Sequence, residues 1–429
     1  MRTPSDAASV PRAAVVGVGD ELLLGETVDT NGAWLGRELS RLGFWVVRRE
    51  VVADVEEEIQ GAVGRSLAVS DVVLLTGGLG PTRDDLTREA VAAFFQRPLE
   101  VDEDLLQLLR DRFRSMGYPD LPANGARMAC VPRGAQVLSN VQGAAPALVL
   151  EDDRGMCVLF PGVPREMREL FRKGAAPLLE TRFAQGLRPV FLRTLFTAGI
   201  PESLLSREVE ELLPEDTGPV SLAFLPDVRG VRIRLTARGL TDREEAEAWF
   251  SRVERALAPA LDPYRYESET GDLAQALGDR LRAENLTLAT AESCTGGLIA
   301  KRITDHAGSS RYFLGGVVAY HNEIKEGLLG VPPEILEEKG AVSREVAEAL
   351  ARGVARHFRS RTAIGVTGVA GPGGGTTEKP VGTVWYAASL DDEIEARVER
   401  FPGDRRDVRE RAVQAAMNLL FRMLEGEGR

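Results

Sequence analysis

Val72-Val73-Leu74-Leu75-Thr76-Gly77-Gly78-Leu79-Gly80-Pro81 is an apolar run of strand length that breaks into a glycine turn, and Ala363-Ile364-Gly365-Val366-Thr367-Gly368-Val369-Ala370-Gly371-Pro372 does the same in the second half of the chain. A buried parallel strand ending this way frees backbone N–H groups and lets a phosphate approach the main chain. Together the two stretches predict two phosphate-handling α/β units. Six matching positions are too few to establish a repeat, so the weight falls on what surrounds each turn.

Working outward, 429 residues at about 150 per domain predict about three domains. Apolar residues make up 44% and charged residues 28%, which suits a soluble globular chain. The net charge of −12 offers no global attraction to a phosphate backbone, so nucleic acid is not expected as a partner. Neither a secretion leader nor a bilayer-length apolar stretch is read, which predicts a cytoplasmic protein with no membrane partner. Cys130, Cys157 and Cys294 fit neither a zinc motif nor a disulfide framework.

Ala13 to Gly19, Phe44 to Val52 and Asp71 to Leu75 read as strands, with helices over 33–42, 56–69 and 85–95 between and after them. This alternation implies right-handed βαβ units and a parallel sheet, in a first domain spanning 1–180. Over 188–265 the rhythm changes to a small α+β module, with strands at 191–198 and 231–237 and helices at 202–213 and 242–257. A polar, turn-rich connector at 262–270 leads into a third domain, 272–429, where strands are expected near 286–290, 314–320, 362–367, 381–388 and 394–401. The fold class is thus two Rossmann-like, three-layer α/β domains separated by a small α+β module.

In the third domain, Ala291-Glu292-Ser293-Cys294-Thr295-Gly296-Gly297 sits where a strand turns into a helix, which presents Ser293 beside backbone donors that can stabilise an oxyanion. Helix capping by Ser293 or Thr295 would explain the hydroxyls but not the glycines. A serine nucleophile needs a base, and Tyr320-His321-Asn322-Glu323-Ile324-Lys325 supplies candidates. Asn322 can cap the next helix, placing Lys325 in its first turn, where the macrodipole disfavours an ammonium. Glu323 and Glu326 act in the opposite sense, so the sign stays open. His321 ranks second as a base because no orienting partner is visible. The glycine-dense loop from Thr367 to Pro380 can wrap an anion, with Lys379, Arg405 or Arg406 neutralising it; a mobile hairpin loop is the plainer alternative.

These segments, AESCTGG, GGVVAYHNEIK, GAVS, TGVAGPGGGTTEKPVGTVW and FPGDR, resemble the C-terminal domain of the competence/damage-inducible CinA family. The resemblance implies nicotinamide mononucleotide deamidation with Ser293 as nucleophile, Lys325 as base and Tyr320 in support. It further implies that Thr367, Gly368, Ala370, Gly371 and Arg405 hold the substrate, with no cofactor required. An amidase for another small amide is the alternative.

In the first domain, Gly19-Asp20-Glu21 follows the first strand and Thr82-Arg83-Asp84-Asp85 closes the glycine turn after the third, both at the sheet edge where open α/β sheets bind ligands. Leu22 stands where a dinucleotide fingerprint would need its third glycine. Asp20, Asp84 and Asp85 are hard oxygen ligands suited to a divalent cation that bridges phosphates, and capping of two helix starts would also account for them. With Asn140–Ala147 and Phe160–Met167, these loops resemble the molybdopterin-binding-like domain of the same family. That implies metal-dependent cleavage of ADP-ribose, with magnesium or cobalt as the metal and Asn31, Gly77, Gly78, Gly80 and Thr82 on the substrate. Ala147 stands where the family usually has glycine, and Met128 where it has a polar residue. A pterin- or nucleotide-binding module without turnover is the alternative. The middle module resembles the family's KH-like domain but has no Gly-x-x-Gly clamp for RNA. A homodimer is implied by the same resemblance.

Overall fold

The computed structural model describes residues 10–122 and 124–426; the leader Met1–Ser9 lies outside them. The chain divides into two compact units, one running to Phe191 with Ala237–Ala246, the other holding Leu192–Thr236 and Glu247 onward.

The first unit is built on β1 (Arg12–Val18), β2 (Trp45–Val52) and β3 (Val72–Thr76). A short ribbon, β4 (Leu99–Val101) with β5 (Cys130–Pro132), stands apart from the main sheet. The sheet is completed by β6 (Gln136–Leu138), β7 (Ala147–Asp152) and β8 (Gly155–Phe160), in the order β2-β1-β3-β8-β7-β6. β1, β2, β3 and β8 are parallel. β7 and β6 run antiparallel, so the expectation of a wholly parallel sheet is corrected. The physical reason is local: Asp153 and Arg154 turn β7 straight into β8 without the crossover helix that a parallel pair requires. Successive β1 residues serve opposite faces. Ala14, Val16 and Val18 join one core, while Ala13 and Val15 join another with Trp34, Leu35 and Phe171. Helices thus cover both sides, the three-layer arrangement expected.

The second unit begins with the α+β module, where β9 (Phe191–Thr197), β10 (Val220–Asp227), β11 (Gly230–Ala237) and β12 (Arg265–Tyr266) assemble in the order β10-β11-β9-β12. Helices Glu202–Leu212 and Arg243–Leu261 accompany them. Its last sheet has β13 (Leu288–Glu292), β14 (Phe313–Val318), β15 (Thr362–Gly368), β16 (Thr383–Leu390) and β17 (Glu393–Arg400), in the order β14-β13-β15-β16-β17. The first three are parallel; β16 and β17 form an antiparallel hairpin through Asp391 and Asp392. Ile364 and Val366 of β15 pack with helices Leu273–Ala283 and Arg405–Glu425, and Ala363 on the opposite face packs with Leu350 of Arg344–Phe358. Among the described residues, no helix is long and apolar enough to cross a membrane.

Both large sheets share one positional consequence. β2 and β3 flank β1 on opposite sides, and β14 and β15 flank β13 likewise. The loops leaving the central strand and its later neighbour therefore diverge, opening a crevice at the carboxyl edge of each sheet.

Candidate active sites

In the second unit, register brings three loops together. Glu292 pairs with Val318 on one side and Val366 on the other, the Ser293 amide donates to Val366 O at 3.0 Å, and Ala319 N donates to Glu292 O at 2.8 Å. The loops that start at Ser293, Ala319 and Val369 thus leave adjacent strands on one edge, with Thr367 still inside β15. Gly296 and Gly297 turn the chain after Ser293 with φ of 60° and 88°, a conformation that side-chain-bearing residues rarely adopt.

Lys325 is only 1% exposed. Its Nζ donates to Tyr320 O at 3.2 Å and to Asn322 Oδ1 at 3.3 Å, both uncharged acceptors. Burial holds its ammonium below the ordinary lysine value, and Cys294, one residue past Ser293, lies near enough that its thiolate would act in the opposite sense. The sign that the sequence left open is therefore set by desolvation. Asn322 is the first helical residue, not the cap, and its side chain meets Lys325. His321 is 75% exposed and faces Glu323, an outward placement for a base. Burial also pushes the Cys294 thiol up to about 12, so it stays protonated.

Arg405 donates to the Tyr320 hydroxyl at 2.8 Å and to Gly371 O at 2.7 Å, joining two of the predicted groups. Other predicted groups are turned inward. The Thr367 hydroxyl is buried and donates to Ala341 O at 2.6 Å, and the Ala370 side chain is part of the core. Gly368 is packed against Thr383 and Val384, and Lys379 donates to Lys339 O. Sequence reasoning missed the role of Glu292, which is 1% exposed and accepts from Ile299 N at 3.0 Å and Ala300 N at 2.9 Å. Two amides of the helix N-terminus are hence engaged by a carboxylate, which leaves the turn itself to supply donors for an oxyanion. Arg409, four residues after Arg405 on the same helix, was also missed, although that spacing alone puts the two side chains on one face.

The first unit's crevice holds a cavity of about 510 Å³ lined by both loops and by Asn31, Asp54, Met128 and Pro161–Pro164. Gly77 (φ 107°) has room for no side chain, since a Cβ there would lie 2.1 Å from Val18 O. Its amide donates to Phe160 O, and the Thr87 hydroxyl donates to its carbonyl at 2.8 Å. At Gly78 an added Cβ would sit 2.3 Å from that same hydroxyl. Asp85 accepts from Gly80 N and Thr82 N, each at 2.8 Å, and from the Thr82 hydroxyl. Its carboxylate thus shapes the loop, with both oxygens engaged by protein donors. Asp20 and Asp54 exchange contacts through their backbone amides, and burial, with Asp20, Glu21 and Asp84 nearby, raises the Asp54 carboxyl. Asp54 was not singled out from sequence, because it lies in a different loop, after β2. Among the described residues, no three acidic, His or Cys side chains stand at metal-ligand spacing. The crevice therefore offers carboxylates without a closed cage, and a cation there would complete its shell with oxygens from a ligand. Asn31 Nδ2 bridges Thr76 Oγ1 and Gly162 O, while its buried Oδ1 has no protein partner. Ala147 lies in β7 within the core, and Met128 lines the cavity.

Fold and sites together define a multidomain α/β protein with candidate sites at the carboxyl edges of two sheets. Three family models match in order: "Probable molybdopterin binding domain" over residues 14–181, "Damage-inducible protein CinA KH domain" over 192–266 and "CinA C-terminal domain" over 270–424. A CinA-like protein of Gemmatimonas aurantiaca is 43% identical over 414 residues, covering 96% of each chain. One of Salinibacter ruber is 41% identical, covering 96% of this chain and 99% of its own. The chain belongs to the CinA family. Among solved structures, the protein CinA of Thermoplasma acidophilum, described as of unknown function, is 36% identical over 41% of this chain and 98% of its own, with a TM-score of 0.37.

Proposed function

We propose that this chain is a bifunctional pyridine-nucleotide salvage enzyme whose C-terminal domain hydrolyses the carboxamide of nicotinamide mononucleotide. The observation that carries the reading is Lys325, a buried amine with uncharged hydrogen-bond partners, beside the turn that presents Ser293. A lysine desolvated in this way reaches its neutral form more easily and can take the serine proton. Ser293 Oγ attacks the carboxamide carbon and its proton passes to Lys325. The amine leaves as ammonia, protonated through Lys325 or Tyr320, and water then hydrolyses the acyl-enzyme to nicotinate mononucleotide. Arg405, reaching both Tyr320 and the Gly371 loop, faces the substrate's phosphate.

For the first domain the proposal is cleavage of ADP-ribose. Asp20 and Asp54, with Asp84 near them, would bind a divalent cation together with the pyrophosphate oxygens whose charge it would neutralise, since three carboxylates do not close on one ion, and Asn31 Oδ1 would accept from a sugar hydroxyl or base amine. The engagement of Asp85 within its own loop favours a second reading, a nucleotide- or pterin-binding module without turnover.

Ammonia release from nicotinamide mononucleotide, with Ser293→Ala as control, tests the first activity. Loss of the nucleophile should cost roughly 10⁴-fold or more in kcat, and turnover surviving in the variant would remove the assignment. A much poorer rate on the dephosphorylated nucleoside separates this reading from a general amidase. Metal-dependent AMP release from ADP-ribose separates the two readings of the first domain.

A further inference from the structure

We infer that Arg409 is a positioning residue for the nucleophile turn, acting through the peptide plane between Thr295 and Gly296. Its guanidinium donates twice to Thr295 O, from Nε at 3.2 Å and from one terminal nitrogen at 2.7 Å. A trans peptide is rigid and directs its N–H opposite to its carbonyl. That N–H, on Gly296, donates to the carbonyl of Ser293 itself at 3.1 Å. One planar unit is thereby gripped on its oxygen by Arg409 and on its nitrogen by the nucleophile's own residue. Gly296 contributes no side chain to brace it; an added Cβ there would meet the Arg409 guanidinium at 3.4 Å, close beside the turn.

Leu298 N adds a longer bond to Thr295 O at 3.3 Å, and the other anchors lie at the ends of the turn, Ser293 N on Val366 O and the Glu292 carboxylate on Ile299 N and Ala300 N. Among the described hydrogen bonds, Arg409 is the side chain that holds its middle. The helix carrying Arg409 is fixed at its start by the reciprocal cap of Asp404 and Asp407, so the clamp is mounted on a rigid element. Arg405, one turn earlier, addresses Tyr320 and the Gly371 loop, and the two arginines thus divide the work. Arg405 serves the substrate side, whereas Arg409 sets the attitude of the serine.

This rests on the amidase reading, and its test separates the two. In the full-length protein, Arg409→Gln should lower kcat on nicotinamide mononucleotide about 10²-fold with KM within about twofold, as misplacement of a reacting group predicts. Arg409→Lys, with one donor direction in place of a fork, should fall between. Hydrogen exchange of peptides spanning 293–297 should quicken at least about tenfold in Arg409→Gln while helix 405–425 keeps its protection. An unchanged kcat, or protection lost throughout the unit, overturns the inference. If the wild type releases no ammonia, the amidase reading fails by itself, and exchange at 293–297 still decides the role of Arg409: quickened supports it and unchanged refutes it.

Discussion

Arg405 and Tyr320, 85 positions apart, are joined by a hydrogen bond of 2.8 Å from guanidinium to phenolic oxygen, and the same guanidinium holds Gly371 O at 2.7 Å. One guanidinium thereby ties the loop after β14 to the loop after β15.

Tyr320→Phe removes that acceptor and leaves the bond to Gly371 intact. The expected outcome is a fall in kcat of about 10²-fold, the low end for a positioned acid, with KM little changed. Arg405→Ala should raise KM as well, since the loop is released with it. Steady-state kinetics of the two variants separate these effects.

Burial holds Lys325 below its ordinary value of 10.5, so the folded state sheds this proton more readily than the unfolded chain. The cost of the charged form is therefore present below the folded pKa and is relieved as pH rises toward 10.5. Lys325→Met should be at least as stable as wild type at neutral pH, with the difference closing on the alkaline side. The kcat/KM of the wild type should climb with pH along a limb that inflects below 10.5, and that limb should vanish in the variant.

Three acidic neighbours, Asp20, Glu21 and Asp84, crowd Asp54. Magnesium or cobalt, added with a nucleotide diphosphate, should raise the melting temperature of the first unit in wild type and much less in Asp54→Asn. Calorimetry with and without the metal reads the difference; equal shifts would place the cation elsewhere.

The Asp85 carboxylate holds Gly80 N, Thr82 N and the Thr82 hydroxyl. Asp85→Ala should destabilise the first unit by about 1–2 kcal/mol, as loss of a charged local acceptor does. Urea unfolding followed in the full chain measures it. A neutral result would show that the loop is held by Gly77 and Thr87 alone.

Much of the fold, and of where the candidate groups fall on it, is legible because the signals are local. The glycine turns after β3 and β15, the serine turn after β13 and the position of Lys325 all follow from short-range pattern. What escapes depends on partners far away in sequence. The apolar runs Ala147–Asp152 and Gly155–Phe160 give no hint of antiparallel pairing until Asp153 and Arg154 turn the chain. Asp54 lines the cavity only because β2 lies beside β1. The resemblance implies Thr367 as a substrate ligand, and its partner Ala341 O, 26 positions away, is not legible in the pattern around it.

The carboxylate of Glu292 already occupies the start of helix Leu298–Thr304. A helix start so occupied is shut to a second negative group, so under the proposed amidase reading the pull on an anionic substrate falls to Arg405, an exposed side chain. Dissolved ions compete at such a place, as they cannot at a dry one, and raising the ionic strength should loosen the grip on a mononucleotide long before it disturbs the serine.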